Sequence, residues 1–198
     1  MTSEPLVLGF DTSAAHCAAA LLRGDEVLTT RLEEMTRGQA ERLMPLLQEV
    51  LSEADACWED LDALGVGIGP GNFTGIRIAV SAARGLALGL DIPAVGVNGF
   101  EARKADGSLP AVPAPRDQVY AALPGEAPRL MPRQEAEDAA RGAGLAFAPE
   151  ASPPGIAEAI ARIASARFAT ATEPPAPLYL RAADAAPSSD VAPTLLDD

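Results

Sequence analysis

Within its first 32 residues the chain carries three short strand-like segments separated by turn-forming residues. That spacing limits the fold more than any other feature. Leu6 to Phe10 is a continuous apolar run ending at the polar Asp11-Thr12-Ser13. Cys17 to Leu22 is a second run, and Val27 to Leu32, beyond the Gly24-Asp25 turn, reads as a third strand that completes a β-hairpin. Runs of this length bounded by turns read as strands, and three in quick succession predict an antiparallel meander. A helix follows. Leu43, Leu46, Leu47, Val50, Leu51 and Ala54 recur at helical spacing, forming one apolar stripe. Pro45 falls inside it, so the helix is expected to kink or to begin near Met44.

Leu64, Val66 and Ile68 alternate with Gly65 and Gly67, predicting a fourth strand that runs into the glycine-rich Gly69 to Gly75. A second helix, Ile76 to Leu90, is built from small residues, with Gly85 and Gly89 on one face. Ala94 to Val97 reads as a fifth strand. The order β-β-β-α-β-α-β favours a mixed five-stranded sheet with flanking helices, since the later strands need right-handed helical crossovers. It is similar to the order of the ribonuclease H-like core. Beyond Asn98 the signals are sparser. Pro110 to Pro115 reads as a proline-rich linker, Gln118 to Leu123 as a strand, and 132–143 and 156–167 as helices. The expected division is a lobe over 1–100, a second over 101–184, and a disordered tail over 185–198.

Charge narrows the function. Asp and Glu number 28 against 15 Lys and Arg, a formal net charge of −13. Between Gly24 and Asp62 there are 11 acidic and 3 basic residues. A free-standing nucleic-acid binder needs cations to displace counterions from phosphates, so direct, tight RNA binding by this chain alone is not expected. Met1 to Pro5 lacks a basic leader, no apolar stretch approaches the length of a bilayer span, and the two cysteines, Cys17 and Cys57, suit a reducing compartment. A cytoplasmic protein is the expectation.

The segment Gly69-Pro70-Gly71-Asn72-Phe73-Thr74-Gly75-Ile76-Arg77 lies between a strand and a helix. Glycines there permit close backbone approach, and a helix N-terminus offers unpaired N–H groups to an anion. The same residues also suit a plain strand-to-helix turn capped by Asn72 or Thr74. No Gly-Lys-Ser/Thr follows, so this is not a P-loop, and the third glycine falls one place late for a dinucleotide fingerprint. Asp11-Thr12-Ser13 resembles the first phosphate loop of the actin-like ATPases, without the usual intervening glycine; a polar turn between strands explains it equally. Asp11, Thr12, Ser13, Gly69, Gly71 and Thr74 are therefore the candidate nucleotide or anion contacts. His16 is the sole histidine and no paired-cysteine spacing exists, so no metal site of that kind is expected. His16 and Cys17 point to opposite faces of one strand and cannot act as a pair.

Four segments coincide with one family: Leu8-Gly9-Phe10-Asp11-Thr12-Ser13, Arg42-Leu43-Met44-Pro45-Leu46-Leu47, the Gly69 to Arg77 stretch, and Gly85-Leu86-Ala87-Leu88-Gly89. Together they resemble TsaB, also called YeaZ, of the bacterial threonylcarbamoyladenosine system. Pro177-Leu178-Tyr179-Leu180-Arg181 is similar to its C-terminal P-x-Y-L-R element. The usual histidine after Arg37 is absent, since Gly38-Gln39-Ala40 follows, and Pro113-Ala114-Pro115-Arg116 replaces the family's Asp-Ala-Arg segment. The resemblance implies an actin-like fold whose second lobe is degenerate and, in this chain, short. It implies a non-catalytic scaffold or activating subunit in the complex that forms N6-threonylcarbamoyladenosine in tRNA. The partners it implies are the paralogue TsaD and the ATPase TsaE, with ATP and a metal ion on the partner rather than on this chain. A homodimer in isolation stays open, and tRNA is reached only through the complex. The enzyme alternative is a nucleotide hydrolase or glycopeptidase-like protein of the same superfamily. In the family the two helices pair with their equivalents on the paralogue as a helical bundle. Leu43, Leu47, Arg77, Val80, Ala83, Arg84 and Leu88 are the residues expected at that contact, unless the small residues merely seat the second helix on its own sheet.

Overall fold

The computed structural model of the chain describes residues 4–150 and 155–180. Arg181 and the expected tail over 185–198 lie outside the described residues. The N-terminal meander forms as expected: β1 (Leu6–Asp11), β2 (His16–Arg23) and β3 (Glu26–Glu34) pair antiparallel in sequence order. Helix α1 (Gln39–Glu53) then crosses to β4 (Ala63–Gly67), and α2 (Phe73–Leu90) to β5 (Ala94–Val97). Both β4 and β5 join in parallel, giving the sheet order β3-β2-β1-β4-β5 of a ribonuclease H-like fold.

Helix α1 begins at Gln39, well before Met44, and continues through Pro45. The proline removes one helical hydrogen bond, but Leu43, Leu46, Leu47, Val50 and Leu51 are all buried, and this burial holds the helix on the sheet. Arg42 ties the helix to the edge strand, its guanidinium meeting Glu33 at 2.6 Å and Glu49 at 2.6 Å. That pairing holds both carboxyls below their usual range.

Period-two alternation sorts the central strands onto two faces. Leu8, Phe10, Leu64 and Val66 meet α1 and α2 on one side. Val7, Ala18, Leu22 and Ala63 meet a later helix, α4 (Ile156–Arg167), on the other. Gly9 and Gly65 are register partners on β1 and β4, and they form the trough in which α4 lies. A Cβ on Gly9 would stand 2.5 Å from the Ala157 carbonyl oxygen; one on Gly65, 2.8 Å from the Ala164 Cβ. Overpacking of this kind costs about 1–3 kcal/mol. Gly9→Ala is therefore expected to lower the unfolding free energy by that amount, read as a lower urea midpoint with no change of slope if the fold is kept. Wild-type stability in that variant would show that α4 is free to move off the sheet.

The second sheet has the order β8-β7-β6-β9, built from β6 (Ser108–Ala114), β7 (Gln118–Ala121), β8 (Arg129–Pro132) and β9 (Ala146–Ala148). Helix α3 (Arg133–Gly142) packs on it through Ala136. Two expectations need correction. The proline-rich segment is strand β6, not a linker. Ser108 to Pro110 pairs only with β9 and Ala111 to Ala114 only with β7, so each proline lies where its missing N–H can face an unpaired side. The division near residue 100 also fails for α4, which follows the second sheet in sequence yet packs against β1, β2 and β4 of the first.

Candidate functional site

The polar end of β1 meets the start of α2, and the two are bound directly. The Thr12 hydroxyl donates to the Gly75 carbonyl at 2.6 Å. The Asn72 N–H donates to the Ser13 carbonyl at 2.7 Å, and the Asn72 side chain caps α2 by accepting from the Gly75 N–H at 2.8 Å. Asp11 Oδ1 accepts from the Ser13 N–H and hydroxyl, each at 3.0 Å, and lies 2.7 Å from His16 Nε2. Both Asp11 and Thr12 are buried. Glycine is required at three places: a Cβ on Gly67 would overlap the Asp11 carboxylate, one on Gly71 the Ser13 carbonyl oxygen, and one on Gly75 the Thr12 carbonyl oxygen. Gly69, at φ +98, brings the chain under Ile76.

Four of the six candidate anion contacts (Asp11, Thr12, Ser13 and Gly71) are thus brought together, while Gly69 packs against Ile76 and Thr74 faces solvent on α2. Their polar atoms serve one another. The Thr12 hydroxyl and the Asn72 and Gly75 amides already have internal acceptors, and the Thr12 and Ser13 carbonyl oxygens press against the glycines of the loop. A phosphate entering there would meet carbonyl oxygens, so the junction as it stands does not fit a nucleotide phosphate. Among the described residues no group of three or more His, Cys, Asp or Glu is placed to share a metal ion.

His16 was not among the candidates, although the hairpin register carries the signal. Asp11 and His16 flank the β1–β2 turn, which places their side chains within reach of each other. Beyond His16 opens a cleft of about 430 Å³, lined also by Arg103, Glu150 and Glu158. Arg103 donates to the Pro149 and Gly99 carbonyls at 3.0 Å each. Burial pulls its pKa down, opposed by Asp11 and Glu150. Cys17 faces the opposite side of β2, within the α1 core, where burial pushes its thiol up to about 11 from an ordinary 9.0. A raised acid favours the protonated folded state, so this group's contribution to stability falls as pH rises from 9.0 to about 11. At neutral pH a thiol reagent is expected to titrate only the exposed Cys57 in the folded chain and both cysteines in denaturant. Rapid reaction of both without denaturant would contradict the burial of Cys17.

The helix face also separates into two. Leu43, Leu47, Val80 and Ala83 are buried in the chain's own core and cannot meet a partner. Leu43 and Leu47 belong to the apolar stripe of α1 that the sheet takes, and Ala79 and Ala83 seat α2 closely. Arg77 and Arg84 are exposed, as are Met44 at 41% and Leu88 at 86%. A Cβ on Gly85 or Gly89 would meet nothing within 4 Å, so these glycines leave an open furrow beside Leu88. With 18 residues and a mean hydropathy of 1.3, α2 is long and apolar enough to cross a membrane by length and composition alone. That corrects the expectation that no stretch would qualify. At its N-terminal end Phe73 stacks on Tyr179 with ring centroids 4.7 Å apart, and Arg77 lies over the Phe73 ring. The Leu178 N–H, donated to the Ile68 carbonyl at 2.7 Å, ties the C-terminal Pro-Leu-Tyr segment to this corner.

The family model described as "TsaD: tRNA N6-adenosine threonylcarbamoyltransferase" matches residues 32–140, more than half of the chain. Among curated proteins, the tRNA threonylcarbamoyladenosine biosynthesis protein TsaB of Haemophilus influenzae is 33% identical over 123 residues, 58% of this chain and 51% of that protein. The chain belongs to the TsaB (YeaZ) family. Among solved members, YeaZ from Pseudomonas aeruginosa is 33% identical with a TM-score of 0.52, covering 64% of each chain. An uncharacterized protein with similarity to peptidase YEAZ from the same organism is 25% identical, with a TM-score of 0.64, covering 89% of this chain and 100% of that one. The chain spans about half the length of the curated TsaB relatives it matches.

Proposed function

We propose that this chain is a cytoplasmic, non-catalytic subunit of tRNA threonylcarbamoyladenosine formation, acting through its larger paralogue TsaD. The observation that carries this reading is the contrast between its two candidate sites. The phosphate-type loop is closed on itself by the Thr12, Asn72 and Asp11 hydrogen bonds, whereas the outer surface leaves Met44 of α1 exposed, and Leu88 of α2 exposed beside the Gly85–Gly89 furrow. An exposed apolar helix face on a chain rich in acidic surface suits a protein partner. A stable bundle on it would bury on the order of 1,200–2,000 Å² in total. ATP, a metal ion and the TsaE ATPase belong to the assembly in this reading, and tRNA is contacted by the partner. Co-purification with the paralogue of the same genome, followed by a tRNA modification assay, tests it. The two together are expected to modify tRNA, and the chain alone is not.

A nucleotide-hydrolysing reading is favoured by one feature, the 430 Å³ cleft where Arg103 faces the Asp11–His16 pair. It requires ATP turnover by the isolated chain that is lost on Arg103→Ala.

A further inference from the structure

We infer that Thr12 is a positioning residue: its hydroxyl, donated to the Gly75 carbonyl, fixes the direction in which α2 leaves the sheet and hence how the Arg77–Leu88 face is presented. The inference rests on the reading of that face as a partner surface, but its first test needs no partner.

The bond spans 63 residues of sequence and is 2.6 Å long between fully buried groups. Gly75 lies in the first turn of α2, where a carbonyl ordinarily receives only the N–H four residues on. A second donor from the residue that follows β1 therefore pins the helix at one point to the end of a fully buried strand. Threonine suits this use, because its β-branched side chain is stiff about χ1 and aims the hydroxyl. The geometry is prepared from the other side too. The Asn72 N–H reaches the Ser13 carbonyl at 2.7 Å, and glycine at 71 and 75 lets the two backbones touch.

Leverage makes a small change matter. Leu88 is about 20 Å along the helix from Gly75 at 1.5 Å per residue. A tilt of roughly 5° about the pinned end would move it by nearly 2 Å on that geometry. Close-packed contacts do not absorb a shift of that size. Ile76, Ala79, Val80 and Ala83 also hold α2 to the sheet, so the chain is expected to stay folded when the hydroxyl is lost.

The test compares wild type, Thr12→Val, which keeps the shape without the donor, and Thr12→Ser, which keeps the donor. Amide exchange is followed over Gly75 to Ala79 in the isolated full chain. Affinity for the paralogue is measured well below the melting temperature. In Thr12→Val, exchange in that turn should accelerate about fivefold, the net worth of one hydrogen bond, and affinity should weaken at least tenfold. Thr12→Ser should restore both; Thr12→Ala replaces the valine variant if valine is not accommodated. Unchanged exchange overturns the inference, as does accelerated exchange with unchanged affinity, since the bond would then be structural only. Failure of Thr12→Ser to restore affinity also overturns it. If wild type itself binds no paralogue, the partner-surface reading falls and takes the presentation claim with it, a result distinct from an effect confined to the variants.

Discussion

Gly85→Trp should leave the chain folded and reduce its affinity for the paralogue by more than a hundredfold. In the isolated chain a Cβ at this position meets nothing within 4 Å, and replacing a mid-helix glycine improves helix propensity by up to about 1 kcal/mol. The melting temperature should therefore hold or rise slightly. In a helix bundle the same furrow is where a neighbouring backbone approaches, and an indole there forces the helices apart. Isothermal calorimetry at matched concentrations, with circular dichroism as the folding control, separates the two effects. Normal binding by a folded Gly85→Trp chain would place the contact elsewhere. A tryptophan at Ala83 would not make this distinction, because Ala83 is fully buried against the sheet and its replacement would disturb the core.

Gly75→Ala should do the opposite, damaging the chain itself. The added methyl would overlap the Thr12 carbonyl oxygen, a backbone atom that cannot swing away. Relief requires α2 to lift off β1, which breaks the Thr12–Gly75 and Asn72–Ser13 bonds together. Losing both hydrogen bonds, the first of them buried, and overpacking one site should cost about 3–5 kcal/mol. Chemical denaturation would read this as a large fall in midpoint. A loss under about 1 kcal/mol, within the range of unremarkable substitutions, would show that the junction is far looser than its geometry.

The first sheet was legible in the sequence because its signals are local. Most of its strands are short apolar segments closed by turns, and α1 shows helical periodicity over several turns. Helix α4 was legible as a helix but not as part of the first sheet, since periodicity says that a face is buried and not against what. Gly9 and Gly65 hold that information, but only once β1 and β4 are known to lie side by side. Strand β6 was hidden by its prolines, which are tolerated because no stretch of it pairs on both sides. Four of the residues expected at a partner contact lie in the core for a general reason. The strongest apolar stripe on a helix is the one its own sheet covers, so Leu43, Leu47, Val80 and Ala83 belonged to the core. The residues left over, Leu88 with Gly85 and Gly89, mark the free face. At the loop, the residue types suggested an anion site, and only distances show that those groups satisfy one another.

The most direct measurement is threonylcarbamoyl transfer to tRNA, with ATP consumption followed alongside, for the chain alone, the paralogue alone and the two combined. His16→Ala and Arg103→Ala variants are included, because any chemistry performed by this chain would draw on its cleft. The predicted result is no turnover by the chain alone, transfer only in the combined reaction, and undiminished transfer with either variant that still binds the paralogue. ATP turnover or transfer by the isolated chain, abolished by Arg103→Ala, would contradict the claim that it works through a partner.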